Sequence, residues 1–209
     1  LFFWSLIAGF GEVVPGAVRT DYDHFIWNYW WIDHALQNGL DPLQSDFMLF
    51  PNTHNLTLHT LTPIWLPLWM LIEPFVERIG FLTLALVLST LLTALATFAW
   101  IKPMLSRSAF GVSMAFALGV FFAFQPYVRF SASNSHLNII SLWWIPLTLS
   151  LWREVAFTRI FKRPISALLL GLAFWGCWLT DYGLWLSLPI VLGVYGVWTL
   201  WHLRQNFRW

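Results

Sequence analysis

Residues 80–101 run 22 positions without one charged side chain. A helix needs about 20 predominantly apolar residues to cross the hydrocarbon core of a bilayer. Four later stretches, 109–126, 137–152, 164–180 and 183–203, are apolar in the same way. Across the chain 58% of residues are hydrophobic and 10% charged, with 16 Trp and 19 Phe among 209. Soluble domains carry about 25% charged residues, so a soluble globular fold is excluded. The expected fold class is an all-α membrane protein.

Lysines and arginines set the expected topology. Lys102 and Arg107 follow the first long stretch; Arg153, Arg159, Lys162 and Arg163 follow the third; Arg204 and Arg208 close the chain. By the positive-inside rule these three clusters are cytoplasmic. Alternation then puts the segments around Gln125–Asn138 and around Asp181-Tyr182 outside. Residues 1–10 are too short to span and read as the outer half of a trimmed first helix. That makes about six transmembrane helices in one domain over 1–209, truncated at both ends.

Residues 61–75 are apolar but hold Pro63, Pro67 and Pro74. Each proline removes a backbone donor that lipid cannot replace, and a crossing here would invert every later charge cluster. The segment is expected to be re-entrant or interfacial. Residues 11–79 then form one long external loop carrying interfacial helices.

Eight of the ten acids lie in that loop: Glu12, Asp21, Asp23, Asp33, Asp41, Asp46, Glu73 and Glu77. Topology does not require acids outside, because carboxylates contribute little to orientation. Their gathering points to function. Polar groups are scarce in such a chain, and where they collect is where chemistry is expected.

Thr20 is the expected N-cap of a helix running to Gln37, with Asp21 and Asp23 in its first turn and Asn38-Gly39 as its stop. Asp23, Trp27, Trp30 and His34 share one face, and the helix is expected to lie along the membrane surface. There its tryptophans would act as plain interfacial anchors. The structural alternative for the two acids is simple capping.

A second external cluster runs Gln125-Pro126-Tyr127-Val128-Arg129 and on through Ser135-His136-Leu137-Asn138. Pro126 is expected to end a helix, and the Ser/Asn run to form a turn. His24, His34, His54, His59 and His136 all fall outside, but without zinc-site spacing. Asp21 and Asp23, spaced Asp-x-Asp, would instead be the oxygen ligands for Mg²⁺ or Mn²⁺ if a metal is needed. The single cysteine, Cys177, lies in an apolar run, so it reads as a buried thiol and no intramolecular disulfide is possible. A net charge of +1 without a basic aromatic stripe gives no nucleic-acid surface.

The motif set TDYDHFIWNYWWIDHAL, then DPLQSDFMLFPNTHNL, then QPYVRFSASNSHLN, with Asp181-Tyr182, resembles the GT-C superfamily of integral membrane glycosyltransferases, bacterial members above all. Thr20 stands where those proteins often have Gly before the first Asp, and Ser135 where they often have Gly before His. The resemblance implies transfer of a sugar from a polyprenyl-phosphate donor to an acceptor on the periplasmic face of a bacterial plasma membrane. Asp21, or alternatively Asp23, would be the base. Arg129, His136, Asn138, Arg78 and His24 would attend the donor phosphate. A transporter and a non-catalytic assembly protein are the rival readings. Ionisable groups gathered in a loop and the lack of an internal repeat weigh against the transporter. An assembly protein would leave the acids, the asparagines and His136 scattered.

Overall fold

The computed structural model describes residues 2–13, 21–57, 59–157 and 163–206. It is mostly helical: α1 Phe2–Ala8, α2 Tyr22–Gln37, α3 Leu66–Ile72, α4 Arg78–Ile101, α5 Ala109–Ala123, α6 Pro126–Ser133, α7 Leu137–Ile140, α8 Trp144–Phe157, α9 Arg163–Trp178 and α10 Tyr182–Asn206. Two strands, β1 Gln44–Leu49 and β2 Asn52–Asn55, form one antiparallel pair. Among the described residues three helical stretches are long and apolar enough to cross a membrane, Arg78–Met104, Ala109–Ser133 and Tyr182–Trp201, compatible with an all-α membrane protein.

About six such helices were expected, and the difference has physical causes. Residues 137–152 do not form one span. A continuous helix would need an N–H from Pro146 to the carbonyl of Leu142, which proline lacks. The chain therefore stops at α7 and restarts at Trp144, where Pro146 falls in a first turn whose donors are unpaired in any helix. The apolar helix Pro164–Trp178 is shorter than those three, and among the described residues near the start the helix is Phe2–Ala8. Pro126 likewise opens α6 instead of merely ending α5.

The chain divides into two compact units. The first holds residues 1–87 and 129–140. Its centre is α2, which buries Phe25, Ile26, Asn28, Tyr29, Trp31, Ile32 and Ala35. The Tyr29 ring stacks on Trp69 at 5.6 Å and meets Phe81 edge-on at 5.0 Å. Full burial of a side chain such as Phe25 or Phe81 stabilises by about 1.5–3 kcal/mol. So α2 is packed into the core of this unit along one side. Trp31 is buried and donates its indole N–H to the Pro42 carbonyl at 3.0 Å. Trp27 and Trp30 pack on the same cluster, half-buried. The tryptophans expected to be plain anchors are packing residues. The shared face of Asp23, Trp27, Trp30 and His34 is the outer side of this helix, with Asp23 exposed and the others half-buried.

Helix α2 ends as its Asn-Gly signal requires. Gly39 adopts φ +66, its N–H reaches the Leu36 carbonyl, and the Leu40 N–H reaches the Ala35 carbonyl at 2.8 Å. Its start differs from expectation, because Asp21 occupies the cap position and Thr20 lies outside the described residues.

The hairpin was not foreseen. Gln-Ser-Asp-Phe-Met-Leu lacks the alternation that marks a strand. It is held instead by its neighbours: Asp41 Oδ1 accepts from the Leu43 N–H at 2.9 Å, and the Leu56 N–H donates to the Leu43 carbonyl at 2.7 Å. Leu56 itself is fully buried, which pins the register. In the proline-rich segment 61–75, a 3-10 turn Pro63–Trp65 leads into α3. Together they have ten residues, roughly 15 Å of helix against a core of about 30 Å. That helix is too short to cross.

The second unit holds residues 88–128 and 141–209. Helix α5 buries Gly111, Ala115, Gly119 and Ala123 at four-residue spacing. A Cβ on Gly119 would lie 2.6 Å from the Ala94 carbonyl oxygen, so the two backbones approach closely there. Gly176 on α9 does the same for the Trp144 ring of α8. The Trp144 indole N–H donates to Thr180 Oγ1 at 2.8 Å within this buried packing. Cys177 is buried.

Candidate functional site

Asp21 opens α2, yet its carboxylate makes no capping bond to that helix. Its Oδ2 instead lies 3.1 Å from His136 Nε2. An ionised carboxylate can only accept, so Nε2 carries a proton in this pair. The backbone joins the same two segments, because the Asp21 N–H donates to the Asn134 carbonyl at 3.2 Å.

His136 is delivered by a strained turn. Ser135 sits at φ +58, in the left-handed region that disfavours L side chains. The His136 N–H closes back on the Ser131 carbonyl at 2.9 Å, and its own carbonyl accepts from Ile140 to start α7. Ser131, Ala132, Ser135 and Leu137 are buried around it. The imidazole is therefore held on an anchored frame while its ring stays 26% exposed, beside an Asp21 side chain that is 54% exposed. An ion pair that open contributes about 0.2–1 kcal/mol, so fold stability does not account for it.

The other expected site residues fall in different settings. Asp23 is exposed and makes no ion pair among the described residues. Arg129 lies exposed on α6. Asn138 is buried in α7 and does not open outward. Arg78, at the start of α4, lines a cavity of about 550 Å³ with Tyr22, Glu73, Phe75, Glu77 and Ile79. Burial chiefly pushes the Tyr22 phenol above its usual range, Asp23 and Glu77 add to this, and the Arg78 guanidinium opposes it. Arg78 is thus within electrostatic reach of the residue following Asp21.

His24 belongs to a separate polar network. Its Nε2 lies 3.3 Å from the Thr60 carbonyl, which also accepts from Asn28 Nδ2 at 2.7 Å. Asn28 Oδ1 must then accept from His59 Nε2, 3.0 Å away. The rings of His24 and His59 are 4.6 Å apart. Burial, followed by His24 and His54, pushes His59 down to about 4. His59 is therefore neutral near pH 7, with its proton on Nε2. This network escaped sequence reasoning. Its trace was the spacing of four that puts Asn28 on the same face as His24.

Among the described residues no group of three His, Cys, Asp or Glu is placed to hold a metal. Asp21 Oδ2 is turned to His136 and Asp23 stands exposed in the first turn of α2. Comparison with protein-family models, with curated proteins and with solved structures gives no match.

Proposed function

We propose that the protein is a membrane glycosyltransferase that moves a sugar from a polyprenyl-phosphate donor to an acceptor at the membrane surface. The observation that carries this reading is the Asp21–His136 pair: a solvent-open carboxylate, spared from capping and oriented by an imidazole on a rigid turn. A transferase of this type needs a base for the acceptor hydroxyl as it attacks the anomeric carbon. With Oδ2 engaged by His136, the other oxygen of Asp21 takes that proton. The glycosidic C–O bond breaks and its electron pair leaves on the donor phosphate.

The departing phosphate needs a cation beside it. Arg78, bordering the 550 Å³ cavity next to Tyr22, supports that role, and exposed Arg129 is the second candidate. His24 is better explained as a bracket for the Thr60 carbonyl. The periplasmic face of a bacterial membrane remains part of the proposal: the positive-inside pattern supports the outer side, and the GT-C resemblance supports the bacterial membrane. The rival assembly-protein reading predicts scattered polar residues; the meeting of Asp21 and His136 weighs against it, whereas the settings of exposed Asp23 and buried Asn138 do not.

The test supplies vesicle-embedded protein with polyprenyl-phosphate hexoses and pentoses together with crude envelope acceptor. Sugar-dependent release of free polyprenyl phosphate is expected for at least one donor. No release from any of them by folded protein rejects the proposal.

A further inference from the structure

The second unit carries two adjoining cavities. One, about 370 Å³, is lined almost entirely by apolar groups, among them Thr97, Trp100, Leu118, Phe121, Ile145 and Leu149 of α4, α5 and α8. That volume lies in the range of about 300–1,000 Å³ typical of ligand pockets. The other, about 570 Å³, is formed by the turn joining α4 to α5 and is lined by Lys102, Ser106 and Arg107. The two meet at consecutive residues, since Ile101 lines the first and Lys102 the second.

We infer that these cavities form one binding site for an anionic phospholipid, its acyl chain in the apolar cavity and its phosphate at Lys102 and Arg107. The apolar cavity lies beside two helices long and apolar enough to span, where the surrounding solvent is lipid tail. The turn from Lys102 to Ser108 has two cations and no acid. Neither cation pairs with a carboxylate among the described residues. Arg153 adds a third positive charge there, because its Nη1 donates to the Trp100 carbonyl at 2.7 Å, at the end of α4. Trp100 lines the apolar cavity, and its indole N–H is buried without a partner among the described residues. An ester carbonyl of a lipid would satisfy that donor. A zwitterionic lipid would bring its own cation to this turn and lose the electrostatic match.

Native mass spectrometry of the detergent-purified protein, given phosphatidylglycerol and phosphatidylcholine in equal amounts, tests the site. Phosphatidylglycerol is expected to be retained at least fivefold over phosphatidylcholine. The Lys102→Gln/Arg107→Gln variant should lose that preference, and Leu149→Trp, which fills the apolar cavity, should lower retention of both lipids. Leu118→Trp serves the same purpose if Leu149→Trp does not fold. Equal retention of the two lipids, a preference unchanged in the charge variant, or a cavity occupied by a second copy of the chain with no lipid bound would each overturn the inference.

Discussion

His136 Nε2 and Asp21 Oδ2 stand 3.1 Å apart, and the contact ties the first turn of α2 to the residue that opens α7. Asp21 therefore depends on a distant turn for its orientation. His136→Gln keeps a donor but misplaces it, and His136→Ala removes it. We expect transfer to fall about tenfold in the first variant and about 10²-fold in the second, the latter at the low end of the range of about 10²–10⁴ for acid–base groups. The melting temperature should barely move, because an ion pair this exposed contributes under about 1 kcal/mol. A large melting shift with unchanged transfer would make the pair structural.

Stability should depend on pH through His59. Its folded value is depressed to about 4 from an ordinary 6.5. Between those values the unfolded chain binds the extra proton, so stability rises with pH. It is fully present above about pH 6.5 and falls away as pH drops towards 4. His24 and His54 share the surroundings, and Asn28 holds the ring. Thermal melts of wild type and His59→Gln from pH 7 to pH 4 check this; the variant should lose much of the slope.

Thr180 is the acceptor for the buried Trp144 indole. Thr180→Val keeps the shape and removes the oxygen, leaving a buried donor unpaired. The expected cost is about 1–3 kcal/mol, measured by denaturant or thermal unfolding in detergent. Thr180→Ser should recover most of it.

Gly39 ends α2 at φ +66 with open space around its α-carbon. Gly39→Ala meets no clash, so its cost is conformational alone, about 1–2 kcal/mol. An equal or higher melting temperature for this variant would contradict the turn.

Much of this was legible in the sequence, for reasons visible residue by residue. Long apolar runs around α4, α5 and α10 announced helices, because a span's period and length are local properties. The Asn38-Gly39 stop was local too. The break before Trp144 was missed because a proline can kink, end or restart a helix, and only packing decides which. The hairpin was missed because Leu56 fixes it from outside its own pattern. At the site, the sequence marked Asp21 and His136 by chemical type alone, and nothing local could tell that Asp21 would decline to cap. The separation of His24 into the Thr60 network, and the burial of Asn138, are tertiary facts with no short-range signature.

The central claim rests on one carboxylate, so the decisive measurement is the initial rate of sugar transfer by Asp21→Asn in lipid vesicles, beside Asp23→Asn. The amide is nearly isosteric but far less basic. We predict a loss of about 10²–10⁴-fold for Asp21→Asn, with an unchanged melting temperature and a much smaller effect at Asp23. Wild-type transfer by folded Asp21→Asn would contradict the account.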